Sequence, residues 1–221
     1  HANAVASHGA TVILTDVNIE SVELLRDELN EKYCNDTVVA EYMNVLDKSS
    51  IESVIQKYDK IDVLINNAAK DTKVEKTGDM NPSVRFETMS MDSWNGDMKV
   101  GLDGCFLCSQ VVVNKMLETG GGNIINIASD LAISAPDQRI YKKSNINENE
   151  QHVKPVTYSV SKWALLGLTK YMSTYFADKN IRVNSLSPAG IYNKNLPDDF
   201  VQRLTSLIPM GRMANSGEYE G

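Results

Sequence analysis

"ATVILTDVNIESVELLRDELNEKY" runs from Ala10 to Tyr33, and the reading of its two halves decides the fold. The first half, "ATVILTD", is short and almost wholly apolar, the mark of a strand buried on both faces. From Ile19 to Tyr33 the period changes: Val22, Leu25 and Leu29 recur at helical spacing and share one face. A buried strand followed by an amphipathic helix is half of a βαβ unit.

The same unit recurs outward along the chain. Upstream, "ANAVASHG" reads as the end of a helix with Gly9 in the C-cap role. Downstream come "TVVAEYM" as a second strand, Ser49 to Tyr58 as a helix capped by Ser49 or Ser50, and "IDVLIN" as a third strand. A long helical pattern spans Met91 to Glu118. "GGGNIINIAS" is a glycine turn feeding a fourth strand, Tyr158 to Asp178 is a helix, "IRVNSLS" is a fifth strand, and Leu196 to Leu207 is a last helix. Two polar stretches, Asn67 to Ser90 and Asp130 to Pro155, have no clear period. Strands alternating with helices predict an α/β fold, a doubly wound parallel sheet flanked by helices, in a single domain over 1–221. In such sheets the ligand crevice lies beyond the carboxyl ends of the strands. Those ends are Asp16, Asn44, Asn66 to Ala69, Ser129, and Ser187 to Ile191.

Composition narrows the class of partner. The 221 residues are 42% hydrophobic and 23% charged, ordinary for a globular chain. The net charge of −7 argues against a nucleic-acid partner, because phosphate binding needs clustered cations. No apolar run approaches the ~20 residues of a membrane span, and no secretory signal opens the chain, so a cytoplasmic protein without a membrane partner is expected. Cys34, Cys105 and Cys108 are too few for a disulfide framework. Cys105 and Cys108 lie within an apolar helical pattern and read as buried small hydrophobes, with no metal expected.

At the strand ends, Asp16 can accept hydrogen bonds from both hydroxyls of an adenosine ribose, and it would repel a 2′-phosphate, favouring NAD over NADP. Asn66 to Ala69 form a small turn that lets a flat ring approach the backbone. Tyr158 and Lys162, four apart in "YSVSK", share one helical face a turn apart. A tyrosine pKa of about 10 would have to fall ~3 units, roughly 4 kcal/mol, for the phenol to act as a base near neutrality. A neighbouring ammonium favours the phenolate. Ser129 ends a strand that should lie beside this helix, where a hydroxyl can hold a substrate oxygen.

Taken together, "LINNAA" (64–69), "WNGDMKVGLDGCFLCSQ" (94–110), "GGNIINIAS" (121–129), "YSVSK" (158–162) and "IRVNSLSPAG" (181–190) resemble the short-chain dehydrogenase/reductases, in family order and over nearly the whole chain. The resemblance implies a Rossmann-like fold and hydride transfer between NAD(P) and a hydroxyl or keto group of a small molecule. It makes Tyr158 the catalytic acid/base, Lys162 the residue that binds the nicotinamide ribose and lowers the tyrosine pKa, and Ser129 the group that orients the substrate oxygen. Asp16 then matches the ribose-binding acid, Asn44 and Val45 the position near the adenine, and Asn66 and Ala68 the cofactor lining. Pro188, Gly190 and Ile191 match the loop beside the nicotinamide carboxamide. A homodimer or homotetramer through the two long helices is implied as well.

Four departures from the family pattern carry further expectations. Gly101 stands in "KVGLDG" where the family has asparagine, which alters the proton relay and favours an alternative, a non-catalytic nucleotide-binding or regulatory protein on the same fold. Alanine separates Pro188 from Gly190. The two polar stretches are long and carry Lys70, Lys73, Lys76, Arg85, Arg139, Lys142 and Lys143. These cations suit an anionic substrate such as a sugar phosphate or nucleotide sugar, with Arg139 and Lys142 as its candidate anchors. The long second stretch, with "APDQRIY" (135–141) and "KPVTYSVSK" (154–162), also resembles, more faintly, a subgroup in bacterial surface-sugar and flagellin-glycan pathways. Finally, the family's first strand with its glycine-rich, pyrophosphate-binding turn, and its last helix and strand, have no counterpart here. The expectation is a segment of a longer protein, with the strands ending at Asp16 and Asn66 left unpaired on their facing edges.

Overall fold

The computed structural model describes residues 1–34, 36–70, 84–144 and 146–219. Lys73 and Lys76, named among the basic residues of the first polar stretch, lie outside them. The elements alternate as the sequence predicts: α1 (Ala2–Ser7), β1 (Val12–Asp16), α2 (Ile19–Tyr33), β2 (Val38–Tyr42), α3 (Lys48–Ile55), β3 (Val63–Asn66), α4 (Met91–Met98), α5 (Gly104–Glu118), β4 (Gly122–Ile127), α6 (Val156–Tyr175), β5 (Ile181–Leu186) and α7 (Asp198–Leu207). All strand pairs are parallel. They fall into two sheets, β1-β2 and β3-β4-β5, so among the described residues the sheet is split between β1 and β3. Ile13 of β1 and Leu64 of β3 nevertheless line the same core clusters under α3 and α5.

Strand polarity brings Asp16, Asn66, Ile127 and Leu186 to the carboxyl ends of their strands. The largest core cluster lies behind them: Ile124, Ile181 and Val183 from the sheet pack against Val112, Val113 and Met116 of α5 and Met172 of α6. The stripe Leu165, Leu168, Met172 and Phe176 is packing, as its spacing predicts.

Three sequence expectations are corrected. The N-cap of α3 is Asp47, whose carboxylate accepts from the N–H groups of Ser49 and Ser50; aspartate competes well with serine at this position. The pattern from Met91 to Glu118 is one helical run interrupted by a π-turn at Lys99–Asp103. By length and composition that run could cross a membrane, contrary to the expectation that no stretch would. Its α5 portion is instead a core helix against the sheet. The irregular second polar stretch contains three 3₁₀ turns, Asp130–Ala132, Gln138–Tyr141 and Glu148–Glu150.

Candidate active site

The site begins at the exit of β4. Ala128 donates its N–H to Leu186 O at 2.8 Å, and Asp130 donates to Pro188 O at 3.1 Å, so the chain leaving β4 stays beside the chain leaving β5. Ser129 is caught between them in extended conformation and is buried. Its hydroxyl donates to Asp130 Oδ1 at 2.8 Å and accepts from Leu131 N–H at 3.2 Å. The helix α6 lies across β4, β5 and this turn. It brings in Lys162, 7% exposed, whose ammonium donates to Ile127 O at 2.6 Å. A buried ammonium is costly without strong acceptors, and the last carbonyl of β4 supplies one. One turn earlier, half-buried Tyr158 has its ring centroid 5.8 Å from Lys162 Nζ. Two adjacent elements thus gather Ser129, Tyr158 and Lys162: a hydroxyl, a phenol and an ammonium, able to hold an oxygen, move a proton and bias that proton's affinity.

The π-turn lies against the same helix. A Cβ on Gly101 would stand 3.3 Å from Ser161 Cβ and 3.4 Å from its Oγ, so glycine permits this close approach to α6. Four residues earlier, Asp97 accepts a hydrogen bond from Thr157 Oγ1 at 2.8 Å and pairs with Lys70 Nζ at 3.2 Å, which ties the first turn of α6 to α4.

The remaining candidate residues are disposed unequally. Asp16 is exposed at the end of β1, with Oδ1 accepting from Asn18 N–H at 2.9 Å. Half-buried Asn44 uses its own Oδ1 to accept from Leu46 N–H at 3.0 Å. The side chain of Val45 packs inward with Leu107 and Cys108. Asn66 also differs from its expected part as cofactor lining. Its side-chain amide turns into the core, donating to Ser109 Oγ and Asn126 Oδ1, each at 2.9 Å. The exposed residues at this strand end are Asn67 to Ala69. The loop Pro188–Ile191 is held from behind: Gly190 O accepts from Ala214 N–H at 3.2 Å, and Ala189 N–H donates to Tyr219 Oη at 3.0 Å. A Cβ on Gly190 would come within 2.9 Å of Met213 Cε.

Arg139 and Lys142 do not converge with these groups as open cations. Four hydrogen bonds from Arg139, three from its guanidinium and one from its backbone N–H, hold the Asp137 carboxyl down at about 2, and Lys142 pairs with Glu148 at 2.7 Å. The stretch that carries them is built on its own polar contacts. Buried Gln151 accepts from Lys143 N–H at 2.7 Å and donates back to Lys143 O at 2.8 Å. Arg203 of α7 donates to Ile140 O at 3.0 Å. Cys105 and Cys108 are buried, and burial pushes their thiols up to about 12 and about 11, so they behave as small hydrophobes at neutral pH.

Sequence reasoning missed Asp130 beside Ser129, Asp97 beneath Thr157, and the inward amide network. The last had a signal: Asn126 interrupts the apolar run "NIINIA", and buried polar groups need partners.

Known proteins match nearly the whole chain. The family profile described as Enoyl-(Acyl carrier protein) reductase matches residues 1–220. The chain is 30% identical over 224 residues to the 3-oxoacyl-acyl-carrier-protein reductase FabG of Aquifex aeolicus, covering 98% of this chain and 79% of the relative. It is 29% identical over 225 residues to D-threitol dehydrogenase of Mycolicibacterium smegmatis, covering 98% and 76% respectively. The crystal structure of a protein from Sinorhizobium meliloti assigned as a short-chain alcohol dehydrogenase superposes with a TM-score of 0.76 at 26% identity, over 97% of this chain and 77% of that one. With the motifs in order, the fold in register and this breadth of match, the chain belongs to the short-chain dehydrogenase/reductase family of NAD(P)-dependent oxidoreductases.

Proposed function

We propose that the protein interconverts a hydroxyl and a keto group on a sugar-derived small molecule, with Tyr158 as acid/base, Lys162 as its tuning cation and Ser129 as the holder of the substrate oxygen. The observation that carries this reading is the junction of β4 and α6, where Lys162 is anchored on Ile127 O two residues before Ser129 and one turn from Tyr158. When bound, the nicotinamide cofactor accepts or supplies the hydride. The residues do the rest. In oxidation, the Tyr158 phenolate takes the substrate hydroxyl proton; in reduction, the phenol returns it. Ser129 donates to the substrate oxygen once its hydroxyl hydrogen turns away from Asp130.

The exposed carboxylate of Asp16 and the small, exposed Asn67 to Ala69 fit the nucleoside ends of such a cofactor. Asp16 would hold the adenosine ribose, Asn44 and Val45 the adenine edge, Ala68 and the backbone of Asn66 the neighbouring wall, and Pro188 to Ile191 the carboxamide. NAD is the preferred cofactor because Asp16 would face a 2′-phosphate with like charge. Replacing Asp16 with serine is expected to raise kcat/KM with NADPH relative to NADH on the order of 100-fold. An unchanged ratio removes Asp16 from the ribose subsite.

The substrate reading is finer. A relative named for D-threitol supports a polyhydroxylated substrate, and the basic residues of the second polar stretch support a phosphorylated or nucleotide-linked one, in carbohydrate biosynthesis. Arg139 and Lys142 would each have to exchange a carboxylate partner for the substrate phosphate. The double variant Arg139→Gln, Lys142→Gln is expected to raise KM severalfold for phosphorylated substrates and leave neutral polyols unaffected. Equal KM values for both classes exclude the pair from the site. Exposed Phe106 and Leu117 of α5 and Trp163, Tyr171 and Tyr175 of α6 support assembly as a homodimer or homotetramer.

The test of the whole reading is NADH binding followed by cofactor fluorescence, then dinucleotide-dependent turnover with neutral polyols, sugar acids and sugar phosphates. Binding without turnover favours the second reading, a non-catalytic nucleotide-binding protein, which the close approach of Gly101 to Ser161 supports.

A further inference from the structure

Lys154 lies outside the five stretches that carry the short-chain dehydrogenase/reductase resemblance. Its ammonium is 3.7 Å from the centroid of the Tyr158 ring, closer than that of Lys162 at 5.8 Å. Its backbone is fixed there. The Gln138 side chain accepts from Lys154 N–H at 2.9 Å and donates to Lys154 O at 3.1 Å, a two-sided grip across the second polar stretch. Buried Pro155 follows at the N-cap of α6 and locks the entry into the helix.

We propose that Lys154 is a second cationic positioning residue for Tyr158, held on its ring by the 130–155 stretch, and that it sets the pH at which the phenolic proton moves. This rests on the reading of Tyr158 as the acid/base. The physical basis is direct. An ammonium is drawn to the electron-rich ring face, and the attraction grows when the ring becomes a phenolate, so the charged form is favoured.

Lys162 shares the tuning role from a different direction, and the remaining groups near Tyr158 do not. Lys162 approaches from its own helix and is committed to Ile127 O. From α4, Asp97 faces the neighbouring Thr157 and is engaged by it and by Lys70. From the turn after β4, Asp130 accepts from Ser129 and from Leu131 N–H. His152, two residues before Lys154, is pushed below its usual range by burial and by Lys143. The buried Cys105 thiol, at about 12, is neutral as well.

The sign follows. Removing the cation raises the Tyr158 pKa, so both the rising limb of oxidation and the falling limb of reduction move to higher pH. The experiment is a tyrosinate absorbance titration of the protein, from which the same titration of Tyr158→Phe is subtracted, in parallel with the pH profile of kcat/KM. Lys154→Met keeps the aliphatic stem and is expected to move the midpoint up by about one pH unit. Lys154→Arg should restore it. Gln138→Leu, which releases the backbone grip, should move it in the same direction by less. A midpoint that stays in place in Lys154→Met, or moves equally in Lys154→Arg, overturns the proposal. Because the absorbance readout needs no turnover, it separates this failure from failure of the acid/base reading, which full activity of Tyr158→Phe would reveal.

Discussion

Replacing Tyr158 with phenylalanine is expected to lower turnover about 1,000-fold while the folded protein and its affinity for NADH change little. The substitution deletes one oxygen and leaves the half-buried ring in place beneath Lys154. General acid–base catalysis contributes roughly 10²- to 10⁴-fold, and a 1,000-fold loss corresponds to about 4 kcal/mol of barrier. Ser129 and Lys162 hold each other's surroundings without the phenol, since Lys162 is anchored on Ile127 O and Ser129 on Asp130 and Leu131. The decisive measurements are single-turnover hydride transfer and NADH fluorescence on the same preparation. Turnover within a few-fold of the parent protein would take the proton chemistry away from this helix. A variant that loses NADH binding along with turnover would make Tyr158 a cofactor contact first and an acid/base second.

That helix shows how much of the site could be read from the sequence. Spacing alone puts Tyr158 and Lys162 on one face, and a strand end beside the helix puts Ser129 within reach. These are local facts of helix and strand geometry, so they survive into the fold. Asp16 and the Pro188–Ile191 loop were legible for the same reason, as strand ends. What was not legible depends on contacts between segments far apart in the chain. Lys154 over Tyr158 requires Gln138 to hold its backbone from across the 130–155 stretch. Arg139 and Lys142 look like anion anchors as letters, but Asp137 and Glu148 engage them through turns that carry no periodic signal. Asn66 looks like a crevice residue because it ends a strand. Whether its amide points out or in depends on Ser109, 43 positions later, and Asn126, 60 positions later. The split of the sheet between β1 and β3 was anticipated because strand order in this family is fixed by topology.

The inward amide network carries the largest expected effect on stability. Asn126 is fully buried one residue before the end of β4. Its Oδ1 accepts from Asn66 Nδ2 at 2.9 Å and from Cys105 Sγ at 3.3 Å, and its Nδ2 donates to Thr169 Oγ1 at 2.9 Å. One side chain therefore joins β3, β4, α5 and α6. Asn126→Ala leaves a void and removes one hydrogen bond from each of three neighbours, although Asn66 keeps Ser109 and Thr169 keeps Leu165 O; each lost bond costs about 1 kcal/mol, and the void adds to that. Relaxation recovers part of that, and a net loss of about 4 kcal/mol is expected, or roughly 10 °C in Tm for a chain of this size. Asn126→Asp distinguishes lost volume from lost hydrogen bonding. Burial raises that carboxyl's pKa in the folded state above its unfolded value of about 3.9. The folded variant then holds a proton that the unfolded chain releases, so its stability is fully present below pH ~4 and falls as pH rises through the folded pKa. At low pH the protonated acid can still donate to Thr169, and the variant should approach the parent protein. At pH 8 it should be less stable than Asn126→Ala, because an ionised carboxylate is then buried at a site built for a neutral amide. Chemical denaturation at the two pH values measures both. A flat pH response would mean that water reaches Asn126, and the network would then be a boundary of the core instead of the pin that sets Ile127 and Ser129 at the end of their strand.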